Sequence, residues 1–275
     1  MSTSAATAES GGLTAAELLQ GWRKLGVEEG MALIVHSSLS SLGRVDGGAA
    51  TVVASLRAAV GPAGTIVTPA YTAQVRDPDK THVGVPTAEV IERRAAVPTF
   101  RADLPTTVGA IPEALRSLPE SVRSPHPYAS LAAVGAQAAT IVERQTLGFA
   151  IGRTSPFGRL HDLGGHILLL GVGHNRNSFL HYVETLTPRP RLRLGRFPYE
   201  IDGERVWVET LDVATDNSTY FPTVGREFEQ QAGIPEVLVG AAPCRLLPIR
   251  PFVSFAVRRL TELLDADAEA ARQRE

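Results

Sequence analysis

Apolar and polar positions fall into two alternating periods along the chain, and their succession outlines a fold. Leu18, Leu19, Trp22 and Leu25 recur at helical spacing, which predicts a helix over residues 14–25. Thr14 and Glu17 stand three apart, the signature of a capping box, and Gly26 is a natural stop. Residues 32–35 (ALIV) contain no polar member and are sized for a buried strand. After the turn Val45-Asp46-Gly47-Gly48, a second helical pattern covers 50–60 until Gly61-Pro62-Ala63-Gly64 breaks it, and 65–68 (TIVT) form the next apolar strand. Strand, helix, strand in this order predicts an α/β protein whose sheet is at least partly parallel.

The pattern weakens over residues 72–107, which are polar, proline-containing and aperiodic, as expected of a functional loop or lid. It resumes with helices over 108–118 and 136–144 around a strand at 131–135, then a helix at 157–163 closed by Gly164-Gly165. Residues 167–171 (ILLLG) make the clearest central strand. Beyond it the reading is a helix at 179–186, two antiparallel strands at 196–199 and 205–211 joined at Asp202-Gly203, and helices at 221–232 and 251–270. There is no internal repeat and no clean break in composition. Residues 13–275 therefore read as one domain behind a disordered tail, residues 1–12.

Composition narrows the function. A chain of 275 residues, 44% hydrophobic and 20% charged, can build one large α/β core. A net charge of -2 lacks the basic excess of a nucleic-acid binder. The single Cys244 allows neither an internal disulfide nor a multi-cysteine metal site, so a reducing, cytoplasmic setting is the natural reading. The first residues lack the charged and apolar blocks of a signal peptide, and no apolar run is long enough to span a membrane.

Four segments carry candidate chemistry. His181 and Glu184 lie three apart on a predicted helix just beyond the strand at 167–171, where α/β sites are found. A histidine takes a proton near neutral pH, and a carboxylate fixes its tautomer. On spacing alone, an incidental His and Glu on an exposed helix is the commoner case. His36-Ser37-Ser38-Leu39 follow the first strand, where open backbone amides can meet a thioester oxygen or a cofactor amide; a serine-rich turn is the plainer reading. Arg123-Ser124-Pro125-His126-Pro127 offers an arginine and a rigid histidine for a phosphate, or is a surface loop. Ser155-Pro156 is a strong helix start leading into Phe157, and capping alone explains it. Other motifs fail: Gly171-Val172-Gly173 lacks the third glycine of a dinucleotide turn, no nucleophile elbow or P-loop occurs, and His174, His181 and Glu184 form no recognisable zinc set.

The order of the segments says more than any one of them. VHSSLSSLG, GPAGTIVTPAY, RSPHPYASLAAVGAQA, SPFGRLHDLGGHILLLGVG, FLHYVETL, GERVWVETLD and FVSFAVRRL together resemble the aminoglycoside 3-N-acetyltransferase family, from about residue 14 to 264. The resemblance implies the antibiotic N-acetyltransferase fold, not the GCN5-type: a central mixed sheet covered by helices, with a smaller β-rich portion in the C-terminal half. It implies metal-free use of acetyl-CoA, with His36, Ser37, Ser38 and Leu39 near the pantetheine and thioester. Arg123, Ser124, His126, Ser155, Pro156 and Phe157 would then line the rest of the cofactor tunnel. The LHxxE motif falls on His181 and Glu184, base and orienter for direct attack by the acceptor amine. Tyr71, Asp77, Asp212 and Asp216 are the acceptor-binding candidates. Resistance members carry a tighter acidic pair after the VW strand; here Asp212 has its partner displaced to Asp216. The implied acceptor is a small-molecule aminoglycoside, met by a monomer or homodimer. Acylation of a different, biosynthetic amine and CoA binding with little turnover remain as alternatives.

Overall fold

The computed structural model describes residues 11–213 and 216–273, so the expected tail lies outside the described residues up to residue 10. Gly12 already donates its amide to Asp46 Oδ1 at 3.1 Å. The elements run α1 (Ala15–Leu25), β1 (Ala32–Ser37), α2 (Gly48–Val60), β2 (Thr65–Pro69), α3 (Ala88–Ala95), α4 (Ala110–Arg116), β3 (Val122–Arg123) and β4 (Leu131–Gly135). They continue with α5 (Ala138–Val142), α6 (Pro156–Leu163), β5 (His166–Leu170), α7 (Phe179–Thr185), β6 (Arg193–Ile201), β7 (Glu204–Asp212), α8 (Phe221–Ala232), β8 (Val237–Val239), β9 (Ala242–Pro248) and α9 (Ile249–Arg272). Thr14 and Glu17 form both bonds of the expected capping box, and Gly26 closes α1 with φ 98°.

Seven strands form one sheet in the order β3-β4-β2-β1-β5-β9-β8. β2, β1 and β5 are parallel; β4 and β9 run against them on either side. The sheet is mixed, and successive residues alternate between two apolar layers. Ile34, Val67, Ala133, Ile167 and Leu169 face α5 to α9. Leu33, Val35, Ile66, Leu168 and Leu170 face α1, α2 and α4. Both faces of the central strands are buried, which is why those strands read as unbroken apolar runs.

β6 and β7 form a separate two-stranded hairpin, the β-rich portion expected of the C-terminal half. Asp202 and Gly203 both take positive φ, 52° and 82°, as a tight two-residue hairpin turn requires. The hairpin packs Phe197 against Tyr128, Ala129, Val75 and Ala150.

Two differences from the sequence reading stand out. The 72–107 segment is not wholly irregular: Thr87 caps α3, whose Arg94 and Arg93 reach back to Asp77 and Asp79. β8 and β9 have no counterpart in the sequence pattern. Pro243, Pro248 and Arg245 interrupt the apolar run of β9, yet it pairs along the whole of β5.

Gly135 ends β4 with φ 123°, and a Cβ there would sit 2.2 Å from the Gly64 carbonyl oxygen. Gly135→Ala adds backbone strain to a clash with immovable backbone. It should cost about 2 kcal/mol and lower Tm by roughly 4–8 °C. A Tm within 1 °C of wild type, roughly the error of such a scan, would contradict this account.

Candidate active site

β1 has β2 on one side and β5 on the other, so the loops leaving the carboxyl ends of β1 and β5 diverge and leave a crevice. A cleft of about 990 Å³ opens there. His36 to Ser40 from the end of β1, Gly171 to Gly173 from the end of β5 and His181 of α7 form its floor. Tyr71, Arg76, Tyr128, Arg193 and Asp212 form a facing wall.

His181 is 5% exposed, and its ring stands edge-on to Phe221 with centroids 4.7 Å apart. Its Nδ1 lies 3.4 Å from Glu184 Oε2, a long contact of a kind that tightens when a ligand closes the site. Glu184 has no exposed surface. Its other oxygen accepts from Arg191 Nε at 2.6 Å and faces the Arg191 amide at 3.4 Å. Burial pushes the Glu184 carboxyl upward, but the hydrogen bonds from His181 and Arg191 outweigh burial and hold it below its ordinary value. Glu184 is therefore an acceptor only. That places the imidazole proton on Nδ1 and leaves Nε2 as the basic nitrogen.

Arg191 is fixed in turn. It donates to the Asp216 carbonyl at 3.1 Å, pairs with the Asp216 carboxylate at 3.6 Å and lies over the Tyr220 ring at 5.0 Å. Asp216, expected to meet an acceptor, instead anchors this arginine and accepts from the amides of Ser218 and Thr219. Its expected neighbours Ala214 and Thr215 lie outside the described residues.

Polar atoms without a protein partner gather on this cleft: His36 Nε2, Ser37 Oγ and Arg76 Nε are buried and unbonded, and Tyr71 Oη has only the Ser178 side chain beside it. Burial, reinforced by the nearby His174 and His181, holds His36 near 3, so it is a neutral imidazole at physiological pH. Burial also pushes the Tyr71 hydroxyl up to about 12. The Ser38 amide, expected to stay open, donates to Leu170 O at 2.9 Å and extends the β1–β5 ladder. Ser38 Oγ lies 3.1 Å from Ser40 Oγ. Leu39 lines the cleft at the start of a short 3₁₀ turn.

Several expected site residues are elsewhere, each held by internal bonds. Arg123 donates to Ser130 Oγ at 3.0 Å and to the carbonyls of Ala70, Ala102 and Leu104, so its fork is spent on backbone and not on a phosphate. Ser124 donates to Gln145 at 2.6 Å. His126 bonds Leu147 O through Nε2 and receives the Tyr128 and Ala129 amides on Nδ1. Ser155 caps α6, Pro156 opens it, and Phe157 is in the core against Phe179. Asp77 is 3% exposed and paired with Arg94 at 2.6 Å, away from the cleft. Tyr71 and Asp212 do line it; Asp212 accepts from Tyr128 Oη and, at 2.8 Å, from the Val213 amide.

Arg76, Tyr128, Arg191 and Arg193 were not foreseen. The one legible sign was Arg189-Pro190-Arg191-Leu192-Arg193, arginines alternating at strand spacing before a strand. Among the described residues, no three His, Cys, Asp or Glu side chains gather as a metal site would, and no helix is long and apolar enough to cross a membrane.

Comparison with known proteins adds the following. A sequence model of the family described as aminoglycoside 3-N-acetyltransferase matches residues 34–261. The chain is 37% identical over 257 residues to aminoglycoside N(3)-acetyltransferase III of Serratia marcescens, covering 86% of this chain and 93% of that one. It resembles the solved structure of AAC-IIIb with CoASH at a TM-score of 0.81 and 30% identity, covering 90% and 96% of the two chains. The structure of AAC-VIa bound to sisomicin gives the same score and identity over 90% and 97%.

The buried histidines set an acid limit to stability. His36 is held near 3 and His126 near 4, both chiefly by burial, against 6.5 for the ordinary group. Below pH 6.5 the unfolded chain therefore takes up protons that the folded protein refuses. Stability is complete above that pH and is lost steadily as the pH falls toward 3. His36→Asn should flatten this decline, measured as denaturation midpoint against pH. A slope identical to wild type would contradict the burial argument.

Proposed function

The chain belongs to the aminoglycoside 3-N-acetyltransferase family, and from that premise we propose that it moves the acetyl group of acetyl-CoA, without a metal and in the cytoplasm, to the 3-amino group of a 2-deoxystreptamine aminoglycoside. One observation in the site carries the mechanism: a buried His181 whose Nδ1 faces an ionised Glu184, itself fixed by Arg191. A protein that only bound CoA would have no use for a charged relay at the bottom of its cleft.

The residues present fit the thioester end of the donor. His36 Nε2 and Ser37 Oγ are unbonded polar atoms beside the first strand's end, suited to a carbonyl or amide of the incoming chain. Acetyl-CoA supplies an activated acyl carbon; the protein's part is to position the amine and handle its proton. An ammonium cannot attack, so the acceptor first gives its extra proton to solvent, and the free amine sheds a second proton as it forms the new C–N bond. His181 Nε2 takes that proton, Glu184 stabilises the imidazolium, and Arg191 keeps Glu184 ionised throughout. The proton is then available to the departing thiolate, so the products are an amide and a free thiol. The amine attacks directly, with no acyl-enzyme. Asp212, the one carboxylate lining the cleft among the described residues, offers an ammonium a partner on the acceptor side.

Thiol release from acetyl-CoA, followed with and without a panel of aminoglycosides, tests the reading. Release should require the acceptor and persist in EDTA. His181→Ala should lower kcat by about two to four orders of magnitude, the usual worth of positioned acid–base catalysis. Glu184→Gln should cost less, because an imidazole remains but is poorly oriented. A His181→Ala enzyme with wild-type turnover would remove the mechanism. Asp212→Asn should raise the aminoglycoside KM more than it lowers kcat, because Asp212 binds ground and transition states alike. A kcat loss at constant KM would move Asp212 out of acceptor binding.

A further inference from the structure

The wall of the cleft is cationic. Arg76, Arg176 and Arg193 line it, against the single carboxylate of Asp212. Arg76 and Arg193 both hold their guanidinium groups against the Tyr128 ring, at 4.9 and 5.5 Å from its centroid. Arg193 donates to Val213 O at 2.5 Å and to Tyr128 Oη at 3.4 Å. Among the described residues neither guanidinium has a carboxylate within ion-pair distance, and the Arg76 side chain has no hydrogen-bond partner; its buried Nε is unbonded.

Among the described residues the other buried arginines are fully engaged: Arg123, also without a carboxylate, spends its fork on Ser130 Oγ and the carbonyls of Ala70, Ala102 and Leu104. Arg94 is deeply buried and paired with Asp77 at 2.6 Å. Arg191 is paired with Glu184 at 2.6 Å. Burial and the proximity of Arg193 both press Arg76 toward losing its proton, a strain that a bound anion relieves. Two planar forks converging on one ring, with the Tyr71 hydroxyl on the same wall, present the donors that a phosphate or carboxylate accepts.

We propose that Arg76 and Arg193, with Tyr71, bind an anionic group on the acceptor itself, so that the cleft takes amines carrying a phosphate or carboxylate in addition to aminoglycosides. Asp212 assigns the anion to the acceptor. It is bonded to Tyr128 on the same wall and offers a partner to the ammonium of an acceptor whose anion the arginines hold. A molecule bearing both an ammonium and an anion matches a wall that carries one carboxylate and two guanidinium groups. The inference rests on the acyl-transfer reading of the cleft for its chemistry, and on the unpaired arginines for its selectivity.

A matched pair of acceptors tests it: glucosamine and glucosamine 6-phosphate, which differ only in the anion. With acetyl-CoA and the full chain, kcat/KM should favour the phosphate ester by about tenfold or more, the scale of one charge-assisted contact pair. Arg76→Gln should erase that preference through the KM for glucosamine 6-phosphate, and Arg76→Lys should restore part of it. Equal kcat/KM for the two amines in wild type overturns the proposal. So does an Arg76→Gln loss that falls on the KM for acetyl-CoA instead, since the arginine would then serve the donor. Calorimetric titration of glucosamine 6-phosphate without donor separates this site from the transfer reaction. Binding that weakens with salt and disappears in Arg76→Gln supports the site even if no amine is acetylated. No binding to wild type overturns it even where aminoglycosides are turned over.

Discussion

Everything at the floor of the cleft depends on one carboxylate that has no contact with water. Glu184 is fully buried, and an isolated ionised carboxylate in such a place would protonate rather than stay charged. Arg191 at 2.6 Å prevents this, and Arg191 is itself pinned by Asp216 and the Tyr220 ring. Removing one member of a buried pair costs more than the pair contributes, because the survivor is left uncompensated. The stretch from α7 through the start of α8 is therefore organised around a single charge, and the orientation of His181 follows from it.

The sequence carried this fold well where local rules decide it. The buried strands at β1, β2 and β5, the capping box at Thr14, and the hairpin turn at Asp202-Gly203 all follow from residue type and spacing. It failed where tertiary context decides. β9 is broken by proline and arginine, and its pairing with β5 and β8 makes it a strand. The segment Arg123 to His126 has the residues of an anion clamp, but their hydrogen bonds are spent holding the loop against Ala70, Leu104 and Leu147. Ser155 and Pro156 start α6, and Phe157 packs in the core against Phe179. His181 and Glu184 were legible because i, i+3 spacing on a helix brings side chains together without any long-range contact. Arg191, Arg76 and Arg193 were not, because each acquires its meaning from a partner that is distant in sequence or on another element.

The cleft has two halves built in different ways. Its floor hangs from the ends of β1 and β5, strands buried on both faces. Its wall is tied together by bonds that cross more than a hundred residues of sequence. Arg205 donates to the carbonyls of Arg94 and Val97, Arg196 to that of His82, and Arg94 lies over Trp207. These bonds make the β6–β7 hairpin and the segment around α3 one body.

The position of β9 bears on how the chain leaves the ribosome. β5 is entirely apolar after His166, and its second edge is covered only by residues 242–248. Synthesis at about 5–20 residues per second delivers β5 several seconds before its partner. During that interval a nascent chain presents an apolar strand with an open row of amides and carbonyls, the geometry that invites pairing with a neighbouring chain. Pro243, Arg245 and Pro248, which hid β9 from pattern reading, also make its outer edge a poor template for another strand before β8 pairs with it.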